Sequence, residues 1–345
     1  MIQAETPAIE ALIVAVPETA GSALYGMVDV LAATGNLWQT LSGNGPGHQL
    51  IRPRVVSNSL EQFTCGNGIP VTPEFSINND PAAKIIILPE LWLAPDDDME
   101  GRYPELLDWI RHKYITGSTI YSACSGSVML AATGLLAGRE ATSHWGYENL
   151  FRTKFPDVHF LPEPSLAYAD ASGRIVTAGG ASSWHDLALH IISRHCNPGE
   201  ALRIAKAYLL KMHDEGQLPY VSFVRHQPHA DSVVRRCEDW LATHYRKDDA
   251  VVSTVSMSGI PERSLKRRFK KATGTSLIAY VQSLRIEEAK QSLETSPRSF
   301  EDISNEVGYE NPAFFRKVFK RSTGLTPGQY RRMFRSFSDV IAIST

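Results

Sequence analysis

The sequence predicts two domains of different fold class, an α/β domain followed by an all-α domain. The chain has 345 residues, which is more than one ordinary hydrophobic core organises. From residue 9 to about 196, apolar runs of strand length alternate with patterns of helical spacing, whereas beyond residue 230 only helical patterns remain. A hydrophobic content of 43% and a charged content of 21% are typical of globular domains.

The first domain is predicted to hold a parallel sheet. We expect strands around Val55 and Val56 and at 9–16, 84–88, 118–122, 158–161 and 174–177. We expect helices at 22–35, 103–114, 147–155, 181–195 and 198–212, and one that begins at residue 127. Unbroken apolar strands between helices indicate a flavodoxin-like sheet with helices on both faces. Such sheets bind ligands beyond the carboxyl ends of their strands, here at 89–92, 124–127, 144–145 and 179–184.

Cys124 lies at a predicted strand end and is the strongest candidate there for a reactive side chain. The small residues 125–127 follow it and lead into a helical pattern rich in Ala and Leu. A cysteine at that turn lies next to a helix N-terminus, whose partial positive charge favours a thiolate or a bound anion. His144 is a candidate base and Asp186 is a candidate group to orient it, so cysteine-dependent hydrolysis is one hypothesis.

The four cysteines give no support to a metal site or a disulfide framework. At positions 65, 124, 196 and 237 they form no CxxC pair and no Cys/His cluster, so we expect reduced thiols, no metal and no cofactor. The N-terminus lacks the basic stretch of a signal peptide, and no run approaches the roughly 20 apolar residues that cross a bilayer. Both features predict a cytoplasmic protein with no membrane partner.

Charge is divided unevenly along the chain. Residues 231–335 contain 20 Lys and Arg against 13 Asp and Glu, whereas the rest of the chain contains 15 against 24. A basic region joined to an acidic remainder suggests that only the basic region meets a polyanion such as DNA. On charge alone, a solvated helical surface is an equally good interpretation.

The basic region repeats one structural plan. Residues 251–274 and 299–324 each predict a short helix, a turn with glycine and a second, basic helix, which is a helix-turn-helix. The helix between them, at 277–293, sets their separation, which must be about 34 Å to reach successive major-groove faces. The residues expected on the buried faces of the second helices are Leu265, Phe269, Phe315 and Phe319. The basic residues expected to meet DNA are Arg263, Lys266, Arg267, Lys270, Arg316, Lys317 and Lys320.

This region resembles the AraC family of transcriptional regulators over about residues 230 to 335. The motifs are R-S-L-K-R-R-F-K-K-A-T-G at 263–274, I-S-x-E-V-G-Y at 303–309 and F-F-R-K-V-F-K-R-S-T-G at 314–324. The resemblance implies that Arg263, Lys266 and Arg267 read bases in the first copy and Lys317 in the second. It also implies promoter DNA as partner, a homodimer, and RNA polymerase as a partner of an activator. Pro261 replaces the polar cap that is usual in the family. Proline is tolerated at the start of a helix, so this difference is compatible with the predicted helix.

The first domain is similar to the class I glutamine-amidotransferase-like superfamily, which includes the PfpI proteases. More narrowly, it resembles the sensor half of the GlxA-type AraC regulators. The motifs are Y-S-A-C-S-G-S at 121–127, G-L-L-A-G-R-x-A-T-S-H-W at 134–145 and I-V-T-A-G-G-A at 175–181. Two departures weaken a catalytic role: Ala23 replaces an acidic residue of the family's enzymes, and Glu90-Leu91 replaces their Gly-Gly. An anionic Glu90 would oppose an oxyanion.

The first domain is therefore predicted to bind a ligand rather than to catalyse a reaction. The predicted lining of its site is Glu90, Leu91, Trp92, Cys124, Ser125, His144, Trp145 and Trp184. Aromatic rings beside a carboxylate suit a cationic metabolite, such as an amino acid or a quaternary amine. A cysteine-dependent amidase or protease tethered to DNA is the main alternative, and an architectural DNA-binding protein without a ligand is a weaker one.

The predicted organisation is a sensing domain at 1–212, a linker at 213–230, a DNA-binding domain at 231–335 and a tail at 336–345. The linker interval is polar and rich in histidine, and it contains Pro219 and Pro228. The predicted function is that of a DNA-binding transcriptional regulator that responds to a small-molecule effector. No motif identifies the effector, the operator or the direction of regulation.

Overall fold

The computed structural model describes residues 7–45, 47–223 and 229–342, with side chains described as far as residue 335. The chain divides into two compact units, Met1–Gln217 and Leu218–Thr345. This division falls inside the predicted linker, so residues 213–217 belong to the first unit and residues 218–223 to the second. The linker residues 224–228, and the side chains of the predicted tail at 336–345, lie outside the described residues.

In its described residues the first unit has eleven strands, seven of which form its main sheet. Its strands are β1 (Ile9–Val14), β2 (Ile51–Ser57), β3 (Phe63–Cys65), β4 (Ile69–Val71), β5 (Phe75–Ser76), β6 (Ile85–Leu88), β7 (Thr119–Ala123), β8 (Glu140–Ala141), β9 (His159–Phe160), β10 (Leu166–Tyr168) and β11 (Ile175–Ala178). The order across the main sheet is β10-β11-β7-β6-β1-β2-β5, with only β10 antiparallel to its neighbour. This confirms the predicted α/β class. The strand order reverses between β1 and β6, where such sheets bind ligands.

Helices cover both faces of this sheet because its strands are apolar on both. They are α1 (Gly21–Ala32), α2 (Leu37–Leu41), α3 (Pro104–Ile115), α4 (Gly126–Ala132), α5 (Glu148–Lys154), α6 (Trp184–His195) and α7 (Pro198–Tyr208). Along β1, Ala11 and Ile13 face a core shared with α1, α6 and α7. Leu12 and Val14 face a core shared with α3, α4 and α5. Burial on both faces explains the unbroken apolar run of β1.

The structure corrects three predicted details of the first unit. The strand expected at 158–161 is not part of the main sheet, because β9 pairs with β8 in a separate two-stranded sheet. The helix expected to reach residue 212 ends at Tyr208, where Leu209 turns left-handed with a φ of 56°. Strands β3, β4, β5 and β10 were not predicted, since two or three residues are too few to display a period.

In the second unit, every regular element among the described residues is a helix. A short 3-10 turn, Leu218–Tyr220, precedes α8 (Ser232–His244), α9 (Ala250–Ser258), α10 (Glu262–Thr273), α11 (Leu277–Thr295), α12 (Phe300–Glu306), α13 (Pro312–Thr323) and α14 (Pro327–Ala342). Helices α8 to α10 form one core with the first half of α11, and α12 to α14 form another with its second half. The predicted core residues are fully buried, namely Leu265, Phe269, Phe315 and Phe319. The two helix-turn-helix motifs, α9–α10 and α12–α13, therefore share α11.

Candidate functional site

The turn at Cys124 joins β7 to α4. Cys124 has a φ of 52°, a left-handed conformation that is uncommon for a residue with a side chain. Its N–H donates to the carbonyl oxygen of Ala178 at 3.0 Å, which ties the turn to β11. Gly126 is required by packing, because a Cβ there would lie 2.3 Å from the carbonyl oxygen of Leu88. The predicted sharp turn is present, and Cys124 is only 3% exposed.

The residues that follow β6 close over this turn. The Oγ of Ser125 accepts from the N–H of Leu91 at 2.8 Å and donates to the carbonyl oxygen of Leu91 at 2.5 Å. This pairing holds the preceding Glu90 beside the thiol of Cys124, which donates to Glu90 Oε1 across 3.8 Å. Two strand ends thus bring together four residues of the predicted ligand site, Glu90, Leu91, Cys124 and Ser125.

The surroundings of Cys124 oppose a thiolate. Burial, and then the Glu90 carboxylate, raise the pKa of the Cys124 thiol to about 12. The pKa of Glu90 is also raised, because burial disfavours its ionised form more than the thiol hydrogen bond favours it. This corrects the expectation that the helix N-terminus favours a thiolate here, since burial and a nearby carboxylate outweigh its partial charge. At neutral pH Cys124 is a protonated thiol, which is a weak nucleophile.

His144 lies in a group of aromatic side chains just before α5. Its ring centroid is 4.8 Å from that of Trp145 and 6.3 Å from that of Tyr147. Burial lowers the pKa of His144, and its Nδ1 accepts a backbone N–H at 3.0 Å. The ring is therefore neutral at neutral pH, and within the described part of the chain no hydrogen bond joins it to Cys124. A catalytic base has not been brought to the thiol in this arrangement.

Tyr147 belongs to this group, although the sequence analysis did not select it. Burial, and then the nearby thiol of Cys124, raise the pKa of Tyr147 to about 12, which reflects its place beside the turn. Its hydroxyl donates to the carbonyl oxygen of Leu93 at 2.9 Å. Tyr147 is two residues beyond the predicted strand end at 144–145, so only a wider window around that end would have included it.

Asp186 has a different partner from the one that a catalytic role requires. It is fully buried in the first turn of α6 and accepts from the backbone N–H of His213 at 3.2 Å. Its Oδ2 also lies 3.1 Å from His213 Nδ1. Burial raises the pKa of Asp186, and the interactions with His213 oppose that rise. This corrects the expectation that Asp186 orients His144: it fastens the end of the first unit to α6 instead.

The described contacts of Trp92 and Trp184 are with residues other than those at the thiol. Trp92 is 59% exposed, and a Cβ on Gly66 would lie 2.3 Å from its ring. The ring of Trp184 lies equally close to the Cβ position of Gly26 in α1 and contacts the ring of His185 at a centroid distance of 3.7 Å and an interplanar angle of 38°. No contact that the structure describes joins either tryptophan to Glu90 or Cys124. Both follow strand ends, but proximity in sequence to a strand end does not fix a side-chain direction.

The basic residues predicted to meet DNA are all exposed on α10 and α13. These residues are Arg263, Lys266, Arg267, Lys270, Arg316, Lys317 and Lys320. Two are paired within the unit, since Lys266 lies 2.5 Å from a Glu262 oxygen and Arg316 lies 2.8 Å from a Glu301 oxygen. The other five have no ion pair among the residues that the structure describes. An exposed cation on a rigid helix is available to a phosphate or a base edge.

Arg268, the neighbour of Arg267, has a structural role. Its guanidinium holds both oxygens of Asp231 at 2.8 and 2.7 Å. Asp231 also caps α8, because its Oδ1 accepts from the N–H groups of Val233 and Val234. The hydrogen bond from Arg268 is the main reason that the pKa of Asp231 is lowered to about 2. The adjacent Arg267 and Arg268 of α10 therefore differ, because Arg267 is exposed and Arg268 is bound to Asp231.

Arg285 links the connection between α8 and α9 to the second helix-turn-helix motif from within α11. It is 8% exposed and donates to the carbonyl oxygens of Tyr245, Lys247 and Gly308 at 2.8, 2.7 and 2.8 Å. The first two oxygens follow α8, and the third lies in the turn between α12 and α13. The sequence analysis did not select Arg285, because its partners lie 23 to 40 residues away. This buried cation fixes the connection between α8 and α9 relative to the turn of the second motif.

Comparisons with known proteins find two family models that match separate parts of the chain. A helix-turn-helix domain model matches residues 255–333, and a DJ-1/PfpI family model matches residues 28–194. The HTH-type transcriptional regulator GlxA of Rhizobium meliloti is 28% identical over 221 residues, 63% of this chain and 66% of that protein. The HTH-type transcriptional regulator CdhR of Pseudomonas aeruginosa is 26% identical over 290 residues, 82% of each chain. The chain thus carries a DJ-1/PfpI domain followed by a helix-turn-helix domain, and it is similar over most of its length to HTH-type transcriptional regulators.

The DJ-1/PfpI domain is also similar to an enzyme. Isonitrile hydratase of Pseudomonas putida is 29% identical over 140 residues, which span 40% of this chain and 57% of that protein. The longer matches, to GlxA and CdhR, are to regulators. In the described part of the chain, every helix is too short or too polar to cross a membrane. No three His, Cys, Asp or Glu side chains described there are grouped as metal ligands.

Proposed function

We propose that the first unit binds a small cationic metabolite and thereby controls the binding of promoter DNA by the second. The proposed ligand site, called the elbow site below, consists of Glu90, Leu91, Cys124, Ser125, His144 and Trp145. The observation that carries the proposal is Glu90, a half-buried carboxylate whose described side-chain partner is a thiol rather than a cation. A partly buried charge is stabilised when an opposite charge pairs with it, and Tyr147, on which Glu90 and Cys124 act electrostatically, places an aromatic ring at the same turn.

The elbow site supports sensing better than catalysis. Nucleophilic catalysis by cysteine needs a thiolate, a base in reach and an oriented base. Here the pKa of Cys124 is raised to about 12, His144 has no bond to it, and Asp186 is bound to His213. The similarity to isonitrile hydratase and the left-handed backbone at Cys124 keep a cysteine-dependent enzyme as the competing proposal. Release of product from amide or nitrile substrates that disappears in Cys124→Ala would establish that alternative.

The second unit is proposed to read DNA through α10 and α13. Arg267 and Arg263 are the proposed base readers of α10, and Lys317 is that of α13, because exposed arginines and lysines pair with guanine edges. Lys270 and Lys320 are proposed phosphate contacts. Lys266 and Arg316 reach DNA only by exchanging their glutamate partners for phosphate. We propose a cytoplasmic homodimer on repeated half-sites, which contacts RNA polymerase where it activates.

A thermal-shift panel tests the ligand class. Ethanolamine, choline and lysine serve as cations, and ethylene glycol and glycolate serve as neutral and anionic controls of similar size. The cations should raise the melting temperature in proportion to the logarithm of their concentration, and the controls should not. Glu90→Gln should weaken the response about tenfold or more in concentration. Glu148→Gln, the same change in an exposed carboxyl of the first unit, should leave it in place. Stabilisation by glycolate or ethylene glycol alone would reject a cationic effector.

Selection from a pool of random DNA duplexes tests the second unit. The full chain should enrich a pair of related half-sites, and its affinity for them should fall steeply with salt because phosphates contribute to binding. Equal affinity for every sequence would instead support the architectural alternative.

A further inference from the structure

Gln217, the last residue of the first unit, has an unusual hydrogen-bond arrangement. It is 4% exposed, and its Nε2 lies 3.0 to 3.2 Å from Thr142 Oγ1 and two backbone carbonyl oxygens. These acceptors fix the amide orientation, because the reverse would set Oε1 against two carbonyl oxygens. Among the residues that the structure describes, the buried Oε1 atom has no hydrogen-bond partner, and it borders Gly180 together with the ring of His144. A buried acceptor without a partner is costly and marks a special role.

A chain of hydrogen bonds leads from the elbow site to Gln217. The thiol of Cys124 donates to Glu90 at 3.8 Å, and the carbonyl oxygen of Cys124 accepts from the hydroxyl of Ser143 at 2.6 Å. The carbonyl oxygen of Ser143 in turn accepts from Gln217 Nε2 at 3.0 Å. Ser143 is fully buried, so it has no solvent partner to exchange for either bond. A shift of Glu90 or Cys124 therefore changes the hydrogen bonds of Gln217.

The residues directly after Gln217 are fixed in the second unit. The turn Leu218–Tyr220 lies against α13, and the ring of Tyr220 contacts that of Phe334 in α14. The N–H of Phe223 donates to Glu287 in α11 at 3.2 Å, and its ring packs against that of Tyr280 at 5.0 Å. Gln217 is thus anchored in the first unit, and the residues that follow it directly are anchored in the second.

We infer that Gln217 couples occupancy of the elbow site to the DNA-binding unit. This inference rests on the proposed function and adds its route of regulation. A ligand that displaces Glu90, Cys124 or His144 changes the hold on Gln217, and residues 218–223 transmit the change to α11 and α13. Coupling of this kind requires only that the ligand bind two arrangements of Gln217 with different affinity.

Amide hydrogen exchange in the full chain tests the coupling, with ethanolamine as the probe. In wild type, saturating ethanolamine should change the exchange rate of residues 218–223 and of α13 about fivefold or more. Gln217→Leu, and independently Ser143→Ala, should abolish that change. His213→Asn is the matched control, because it alters an anchor in the same segment that bonds to Asp186 rather than to the elbow site. The control should retain the response.

The outcomes separate this inference from the proposed ligand class. Ethanolamine should still raise the melting temperature of Ser143→Ala, which shows that binding persists while coupling is lost. If ethanolamine does not bind wild type, the ligand class fails, and Glu90→Gln replaces the probe as the perturbation. It should then alter exchange at 218–223 in wild type but not in Gln217→Leu. An equal response in wild type and Gln217→Leu, or no response at 218–223 to either perturbation, overturns the coupling role of Gln217.

Discussion

The two units hold their functional side chains in opposite ways. In the first, Glu90, Cys124 and His144 are withdrawn from water, and burial is the main cause of the shifted pKa of each. In the second, Arg263 and Arg267 stand exposed on a rigid helix, and their neighbours are held by internal bonds. The proposed ligand site would therefore select its ligand through desolvation, whereas the proposed DNA contacts would attract a polyanion through accessible charge.

The largest effect is expected at Arg285, which is buried although the cations of the second unit that are proposed to contact DNA are exposed. Arg285→Leu leaves three carbonyl oxygens unpaired and should lower the free energy of unfolding of the second unit by about 3–5 kcal/mol. Arg246→Leu is the matched control, because Arg246 forms an exposed ion pair with Glu288 and should cost at most about 1 kcal/mol. Urea titration followed by amide protection of α11 measures both. Equal losses in the two variants would show that Arg285 does not fix the connection between α8 and α9 to the second motif.

The next effect concerns pH and belongs to the first unit. Burial, and then the charge of Lys84, lower the pKa of His195 to about 4, and its Nε2 lies 2.9 Å from the hydroxyl of Tyr121. Between pH 6.5 and 4, His195 binds a proton in the unfolded chain but stays unprotonated in the folded unit. The free energy of unfolding therefore falls as pH drops through this window, by at most about 3 kcal/mol for this group.

His195→Gln isolates this contribution. The variant should lose less stability than wild type between pH 6.5 and 4, although Glu90, Asp186 and Glu148 add changes of opposite sign in both proteins. Urea unfolding followed by tryptophan fluorescence reports mainly on the first unit, which holds five of the six tryptophans. Parallel pH profiles for the two proteins would contradict the assignment to His195.

The smallest effect separates two adjacent arginines of α10. Arg267→Ala should weaken binding to the selected operator by about 1–3 kcal/mol and relax specificity at one base pair, with stability unchanged. Arg268→Ala should instead lower the stability of the second unit, because it frees Asp231 from a two-bond pair. Fluorescence-anisotropy titrations on the operator and on single-base variants provide the measurement. A uniform loss across all sequences, with a smaller salt slope, would make Arg267 a phosphate contact.

Sequence patterns predicted elements that repeat a local rule. The apolar run of β1, the small residues after Cys124 and the paired helix-turn-helix plans each follow from spacing within a few residues. Side chains whose partners are distant in sequence were missed. Asp186 finds His213 after 27 residues, and Gln217 finds Ser143 after 74. Such pairings depend on how strand ends meet in the folded unit, and no local period encodes them.

The pKa of Cys124 shows a second limit of sequence reasoning. The residue order correctly placed a cysteine before a helix, and that position alone favours a thiolate. The opposite outcome follows from burial and from Glu90, which reaches the thiol from a different strand end. The sign of a pKa shift thus depends on which terms compete in space, and here desolvation exceeds the helix contribution.

The most direct test of the account is the affinity of the full chain for its selected operator, measured with and without the cation that stabilises it most. We predict that the cation changes the affinity of wild type about fivefold or more and that Glu90→Gln removes this change. An operator affinity that ignores the cation in wild type, or a response that Glu90→Gln leaves intact, would contradict the claim that the first unit senses a ligand for the second.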